Sequence, residues 1–520
     1  MYLLENNTEK QSNKNRNKLF VVIGIVTILL IVSGVHFASR AGNEGDIQPE
    51  HNDYLYCEPE DATQPINGEE MSEDYDDYII PRYTEETPRM RNYRIERERR
   101  EFAESITREQ IIEDFDYMMA VLEENFPFFD LTYRRHGVDI REEARRFRGV
   151  LADESMPIDA RIFEHFLFVD FVNAIHWVGH LRPLTTRYEY ITSMYWAVEY
   201  PDTHWSIIVN ERFTAHPSTS LFYGEFNESD FIAAGEQHQI DMHDADNFTM
   251  EVIEEGHIAY IRVNRLFGDQ SIHMTTLSDF YNKIADFNHL IIDIRDNTGS
   301  WPNAFHNLIT VPHLRRPVQL DFVTFYKGGE HNLRFLDTLF DPRFNDAVER
   351  PSHFYGESFI IKDEEVIGRD GRPLLFGTRY LAWGDLEAFD YYNIGFYYTL
   401  NPSGPDDLQS EFNGQKWLLT DWMSGSGSEH LVALYKQENL AIIVGEQGSG
   451  IFMCPLFFSN YFALPNTGII IRYDVGYPVC RFTGHPLEEG ILPHFFNRFS
   501  MDALQTTLEL IAEGAYEGTR

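Results

Sequence analysis

The sequence predicts an α+β protein in which a helical N-terminal domain precedes an α/β core. Three observations carry that expectation. Phe115, Met118, Met119, Leu122 and Phe126 recur at helical spacing. From His257 onward apolar strand-like runs alternate with helical ones, a rhythm that implies a sheet with crossover connections. Far upstream, Leu19 to Ala38 is an uncharged run of about the length that crosses a bilayer.

Taken in order, residues 1–18 carry Lys10, Lys14, Arg16 and Lys18, which keeps them on the cytoplasmic side of a single-pass anchor at 19–38. A cleaved signal peptide is the competing reading. Either way everything after Arg40 lies outside the cytoplasm, and the anchor holds it at the cell membrane. Residues 41–104 read as an acidic disordered stalk and linker, because Ala41 to Ile80 contains not one Lys or Arg. Its last part, RNYRIERERR, mixes the two signs and runs into a helix. The helical domain spans 105–180, opened by capping residues at Ser105 and Thr107 and continued at Arg141–Leu151 and Ile158–Ile175. Residues 181–250 are a connecting region in which short β-rich runs such as Trp205 to Val209 alternate with polar loops.

The core is 251–520. Strands are expected at His257–Val263, His289–Arg295, Lys416–Thr420 and Leu440–Gly445, with helices at Ser271–Phe287, Ser428–Gln437 and Ser500–Ala512. An insertion around 320–415 is rich in aromatics, Tyr391 to Tyr398 above all. A lid over a cleft and ordinary core packing both fit it.

Composition narrows the function. With 83 acidic against 43 basic residues the net charge is −40, so nucleic acid, which requires a basic face, is excluded as a partner. The three cysteines are too few for a disulfide scaffold and wrongly spaced for zinc. Cys454 and Cys480 could pair in an oxidising compartment, and the odd count leaves at least one thiol free. No HExxH, Walker loop or dinucleotide fingerprint occurs. Neither a metal nor a cofactor is expected.

The segment from Trp417 to Glu429, WLLTDWMSGSGSE, reads as a strand, a small-residue turn and a helix start. A serine at a helix N-terminus sees free N–H groups and the positive end of the dipole, and both favour an oxyanion beside it. A plain helix cap is the alternative. The α/β-hydrolase elbow is excluded, because Ser424 and Ser428 stand where it needs glycines around Ser426.

Four segments in order resemble the C-terminal processing (tail-specific) serine peptidases, a family that includes the tricorn core. They are His289 to Gly299 (HLIIDIRDNTG), Ser426 to Glu429 (SGSE), Ala441 to Glu446 (AIIVGE) and Gly484 to Pro493. Ile106 to Phe129 and Ile175 to Leu181, which holds Gly179-His180, are similar to the family's N-terminal segment. The resemblance implies a ClpP/crotonase-like core and hydrolysis of peptide or protein substrates. It implies Ser426 as nucleophile, Gly427 and Gly299 N–H as the oxyanion hole, and His180 as general base in the branch that uses histidine. Glu488 would orient the imidazole, with Glu489 as the alternate. Asp293, Arg295 and Asn297 would shape the turn that presents Gly299. The chain departs from the pattern at Ile451, which stands where the lysine of the Ser-Lys branch would be, and at Val178, Thr298, Ser300 and Leu487. A second expectation therefore stands beside the first: a non-catalytic relative that binds peptides or apolar ligands in the same cleft. The oligomeric state is left open.

Overall fold

The computed structural model describes residues 88–515, apart from residue 202, 242–247, 267–270, residue 301, 340–358, residue 363, 403–407 and 451–458. The predicted anchor at 19–38 and most of the stalk lie outside the described residues, as do Cys57, Cys454 and Ile451. Among the described residues no helix is long and apolar enough to cross a membrane. Residues 83–520 form one compact unit.

The chain has a mixed α/β fold. Its centre is a six-stranded sheet in the order Phe495–Phe496, Ile442–Gly445, Gln415–Thr420, His289–Asp293, Ile258–Val263, Phe248–Glu254. All neighbours are parallel except the last pair. Alternation along each strand dresses both faces. Leu290, Ile292, Leu418 and Ile443 meet the helices Ser271–Lys283 and Gly427–Glu438. Ile291, Trp417, Leu419 and Val444 meet the closing helix Ala503–Glu513. A sheet covered on both faces is why these strands read as unbroken apolar runs.

The helical N-terminal part does not stand apart from this core. Thr107 caps the helix Arg108–Asn125 in a reciprocal box with Gln110. Buried Asp114 on that helix accepts the N–H groups of Asn466 at 2.9 Å and Thr467 at 2.7 Å, fastening it to a turn more than 350 residues later. Phe115, Phe126 and Phe171 share one apolar cluster with Val323, Tyr392, Phe462 and Tyr473. Two three-stranded antiparallel sheets complete that layer. One is ordered Arg182–Pro183, Ile470–Tyr473, Asn460–Ala463, and the other Gly476–Cys480, Val318–Tyr326, Tyr391–Leu400. The aromatic run Tyr391 to Tyr398 is thus a strand paired along its length with Val318–Tyr326.

Two segments differ from expectation. The mixed-charge linker forms the helix Pro88–Ser105, where i,i+4 pairs such as Arg94–Glu98 support it. The connecting region is helical at Arg187–Glu199, His204–Phe213, Pro217–Tyr223 and Glu228–Asp241. Trp205 to Val209 looks β-rich, but Thr203 caps it through Ser206 N–H and buries Ile208 and Val209 on a helix face.

Candidate active site

The strand Gln415–Thr420 ends at Asp421, whose carboxylate accepts the N–H groups of Met423 at 3.1 Å and Ser424 at 2.9 Å and so closes a tight turn. Ser424 Oγ donates to the carbonyl of Ile294 at 3.0 Å, and Ser428 Oγ to that of Asn297 at 2.9 Å. The turn is thereby fixed to the end of the neighbouring strand. Ser426 stands at the N-cap of Gly427–Glu438 with φ 53° and ψ −120°, a strained backbone for a residue with a side chain. Its hydroxyl makes no capping hydrogen bond. The geometry therefore presents the side chain instead of spending it on the helix.

Two glycines crowd this serine. A Cβ at Gly299 would sit 3.1 Å from Ser426 Cβ and 3.4 Å from its Oγ, and Gly427 lies against the Ser300 backbone. Among the described residues the Gly427 N–H has no hydrogen-bond partner, as an oxyanion donor requires. The Gly299 N–H is committed: it donates to Asn297 Oδ1 at 3.0 Å. Asp293 is buried, accepts from Tyr260 Oη at 2.7 Å and pairs with Arg295 at 2.6 Å, while Asn297 Nδ2 donates to Val263 O at 3.2 Å. These side chains hold the turn that carries Gly299.

Gly450, Glu429 and Arg135 build the wall beside Ser426. The Ser426 N–H donates to Gly450 O at 3.1 Å. Glu429, fully buried, accepts the N–H groups of Gly450 at 3.3 Å and Ile491 at 3.2 Å, and burial pushes its carboxyl up to about 8. Arg135 reaches in from the helix Phe129–His136. It donates to the carbonyls of Ser449 at 2.6 Å, Gly448 at 2.9 Å and Glu488 at 3.0 Å. Burial lowers its pKa, the Glu429 charge opposing.

His180 lies in a strained segment: His176, Trp177, Gly179 and His180 all have positive φ. The partner of its ring is Asp474, whose Oδ2 lies 2.5 Å from His180 Nδ1. Asp474 Oδ1 accepts from Ser459 Oγ at 2.6 Å, and the Asp474 N–H donates to Gly179 O at 2.8 Å. Burial lowers the His180 pKa below its ordinary value despite the pull of Asp474. The Asp474 carboxyl is held low by His180, which outweighs its own burial together with Arg472 and Ser459.

The roles expected of the two late-turn glutamates are redistributed. Glu488 Oε1 accepts the N–H of Gly179 at 2.8 Å, so it steadies the backbone before the histidine. Glu489 pairs with Arg134. Both sit in the short turn Leu487–Glu489, whose direction sets Glu488 inward and Glu489 toward the surface arginine. The structure brings Ser426, Gly427 and Gly299 together, and separately His180, Asp474 and Glu488. Arg135 joins the two groups, donating to the Glu488 carbonyl and to that of Ser449, next to the Gly450 whose carbonyl accepts the Ser426 N–H. Among the described residues Ser426 and His180 share no hydrogen bond. Asp474 had one signal in the sequence, a lone carboxylate inside the apolar run Ile469 to Tyr477.

Residues 257–494 match the family model of peptidase family S41. No curated protein matches the chain. Among solved structures, a protein from Parabacteroides merdae described as a candidate peptidase is similar at 14% identity, covering 78% of this chain and 97% of its own, with a TM-score of 0.43. Mature CPAF is 12% identical over 78% of this chain and 95% of its own, with a TM-score of 0.42. The photosystem II D1 C-terminal processing protease is 14% identical over 49% and 46%, with a TM-score of 0.26. At these scores the reading of the site rests on the family match and on the geometry alone.

Proposed function

With residues 257–494 assigned to peptidase family S41, we propose that the chain is a serine peptidase that cleaves peptide bonds through an acyl-enzyme on Ser426. The observation that carries the reading is the strained, uncapped Ser426 beside the unpartnered Gly427 N–H. His180 serves as general base. Burial keeps its ring neutral, and Asp474 on Nδ1 leaves Nε2 to take the proton of the Ser426 hydroxyl. The oxygen attacks the substrate carbonyl carbon, and the oxyanion forms at Gly427 N–H. Gly299 N–H joins once it leaves Asn297 Oδ1. The imidazolium then protonates the departing amine. A water, deprotonated by the same imidazole, releases the acyl group. Glu488 acts as a positioning residue through Gly179. The substrate is a peptide or protein. We place the site outside the cytoplasm, at the cell membrane, with 19–38 as the anchor, on the strength of the sequence pattern.

A second reading is favoured by two observations. The Gly299 N–H is occupied by Asn297, and Ser426 is not bonded to His180 among the described residues. A relative that binds peptide without cleaving it would have these features. A fluorophosphonate probe separates the two. The peptidase gains one phosphonyl adduct that peptide mapping places on Ser426, and Ser426→Ala abolishes it. A chain that stays unlabelled while binding peptide supports the second reading.

A further inference from the structure

A cavity of about 580 Å³ opens at the far end of the helix Gly427–Glu438. Its lining residue Lys436 lies ten positions, or about 15 Å at 1.5 Å per residue, beyond Ser426. The volume falls in the range of small-molecule sites, roughly 300–1,000 Å³. Leu320, Ala433, Leu487 and Ile491 give it apolar walls, and the buried thiol of Cys480 faces it as well.

Its charges are the unusual feature. In a chain with 83 acids to 43 bases, a basic side chain has carboxylates to spare. Lys436 nevertheless has no carboxylate partner among the described residues. Its Nζ donates to the carbonyl of Leu492 at 2.8 Å, which leaves two of its three N–H donors unused. Arg379 stands at the same cavity with its guanidinium over the Tyr380 ring and, among the described residues, no ion pair. The single acid in the lining, Glu438, is already bound by Arg316 at 2.7 Å. The two lining histidines bring no charge to compete. His485 bonds through Nε2 to Gly490 O, and His494 Nδ1 accepts from Ile443 N–H; burial lowers the pKa of both.

We infer that this cavity is a binding site for an amphipathic carboxylate, an unbranched apolar chain ending in one anionic head. The chain lies on Leu320, Ala433 and Ile491, and the carboxylate meets Lys436 and Arg379. A carboxylate paired in this way gains charge-assisted hydrogen bonds that a neutral head does not. A cationic head would meet two cations and is rejected. The inference does not depend on catalysis at Ser426.

The test uses the full chain in lipid nanodiscs and a dodecanoate carrying a diazirine on its chain, photolysed and mapped by peptide mass spectrometry. Crosslinks are expected within 433–439 and 480–494, competed by dodecanoate and not by dodecyltrimethylammonium. Arg379→Glu and Lys436→Gln should each lower the saturable labelling affinity about tenfold, the loss of one charge-assisted bond. Ala433→Trp should fill the cavity and abolish labelling. If that variant melts early, the exposed Arg379→Glu decides alone. The inference is overturned by crosslinks confined to other segments or absent altogether. Equal competition by the cationic amphiphile, or parent-like labelling in both charge variants, overturns it too.

Discussion

The turn carrying Ser426 and the segment carrying His180 are both strained, but they are built in opposite ways. The serine turn is built mostly from contiguous chain, a strand, Asp421 folding back on Met423 and Ser424, and a helix within about two dozen residues, and is tied besides to Ile294, Asn297 and Gly450. The histidine segment is held from far away, by Asp474 almost 300 residues later and Glu488 more than 300 later. Strain in the first is supported by the chain's own next turn. Strain in the second persists only while distant parts of the fold stay docked. The proposed nucleophile should therefore tolerate distant change better than the proposed base.

The largest expected effects test whether the two regions act as one unit. Ser426→Ala should remove hydrolysis while leaving the melting temperature close to that of the parent. His180→Ala should cost about as much, and the double variant no more than either alone, because a nucleophile and its base are not additive. Rates that multiplied in the double variant would mean that the two regions work separately.

Next comes the choice of acid. Asp474→Asn should lower kcat by about 10²–10⁴, the range in which loss of a ring-orienting carboxylate falls. Glu488→Gln should cost less and act mainly on stability, since it bonds a backbone N–H. A pH profile separates them further. A general base must be neutral, and His180 titrates below its ordinary 6.5, so activity should fall only as pH drops through a value lower than that. Asp474 raises the His180 pKa. Asp474→Asn should therefore shift the acid limb to still lower pH, and Glu488→Gln should leave the limb where it is. A limb that moved with Glu488 instead would return the orienting role to the late turn.

The contrast also explains what the sequence could tell. The strands and the turns on which Ser426 and Gly299 lie are legible because strand, turn and helix follow one another and the parallel strands are buried on both faces. Asp474 and Arg135 were not, because each acts on residues that no local pattern associates with it. Glu488 accepts the Gly179 N–H, a contact that spacing cannot distinguish from one with the neighbouring ring. Trp205 to Val209 was misread because its β-branched residues outweighed the cap at Thr203 that starts a helix. The anchor and stalk lie outside the described residues.

The smallest effect concerns the serines flanking the nucleophile. As simple caps, Ser424 and Ser428 would each be worth roughly 1 kcal/mol. Both are buried, however, and tie Ile294 O and Asn297 O to the turn. Ser424→Ala should therefore cost about 1–3 kcal/mol by urea unfolding, the penalty of leaving the Asp421 N–H, which donates to Ser424 Oγ, without its acceptor, with kcat little changed. A large loss of kcat at unchanged stability would move Ser424 into the chemistry.

The central claim is that Ser426 carries the acyl group while His180, held by Asp474, moves the proton. Rapid quenching of the chain with a peptide substrate, followed by intact-mass and fragment analysis, tests it most directly. A transient acyl adduct on Ser426 is expected in the parent. In Asp474→Asn the same adduct should form more slowly, and in Ser426→Ala it should be absent. Cleavage of the peptide by Ser426→Ala at the parent's rate, or an adduct on any other residue, would contradict it.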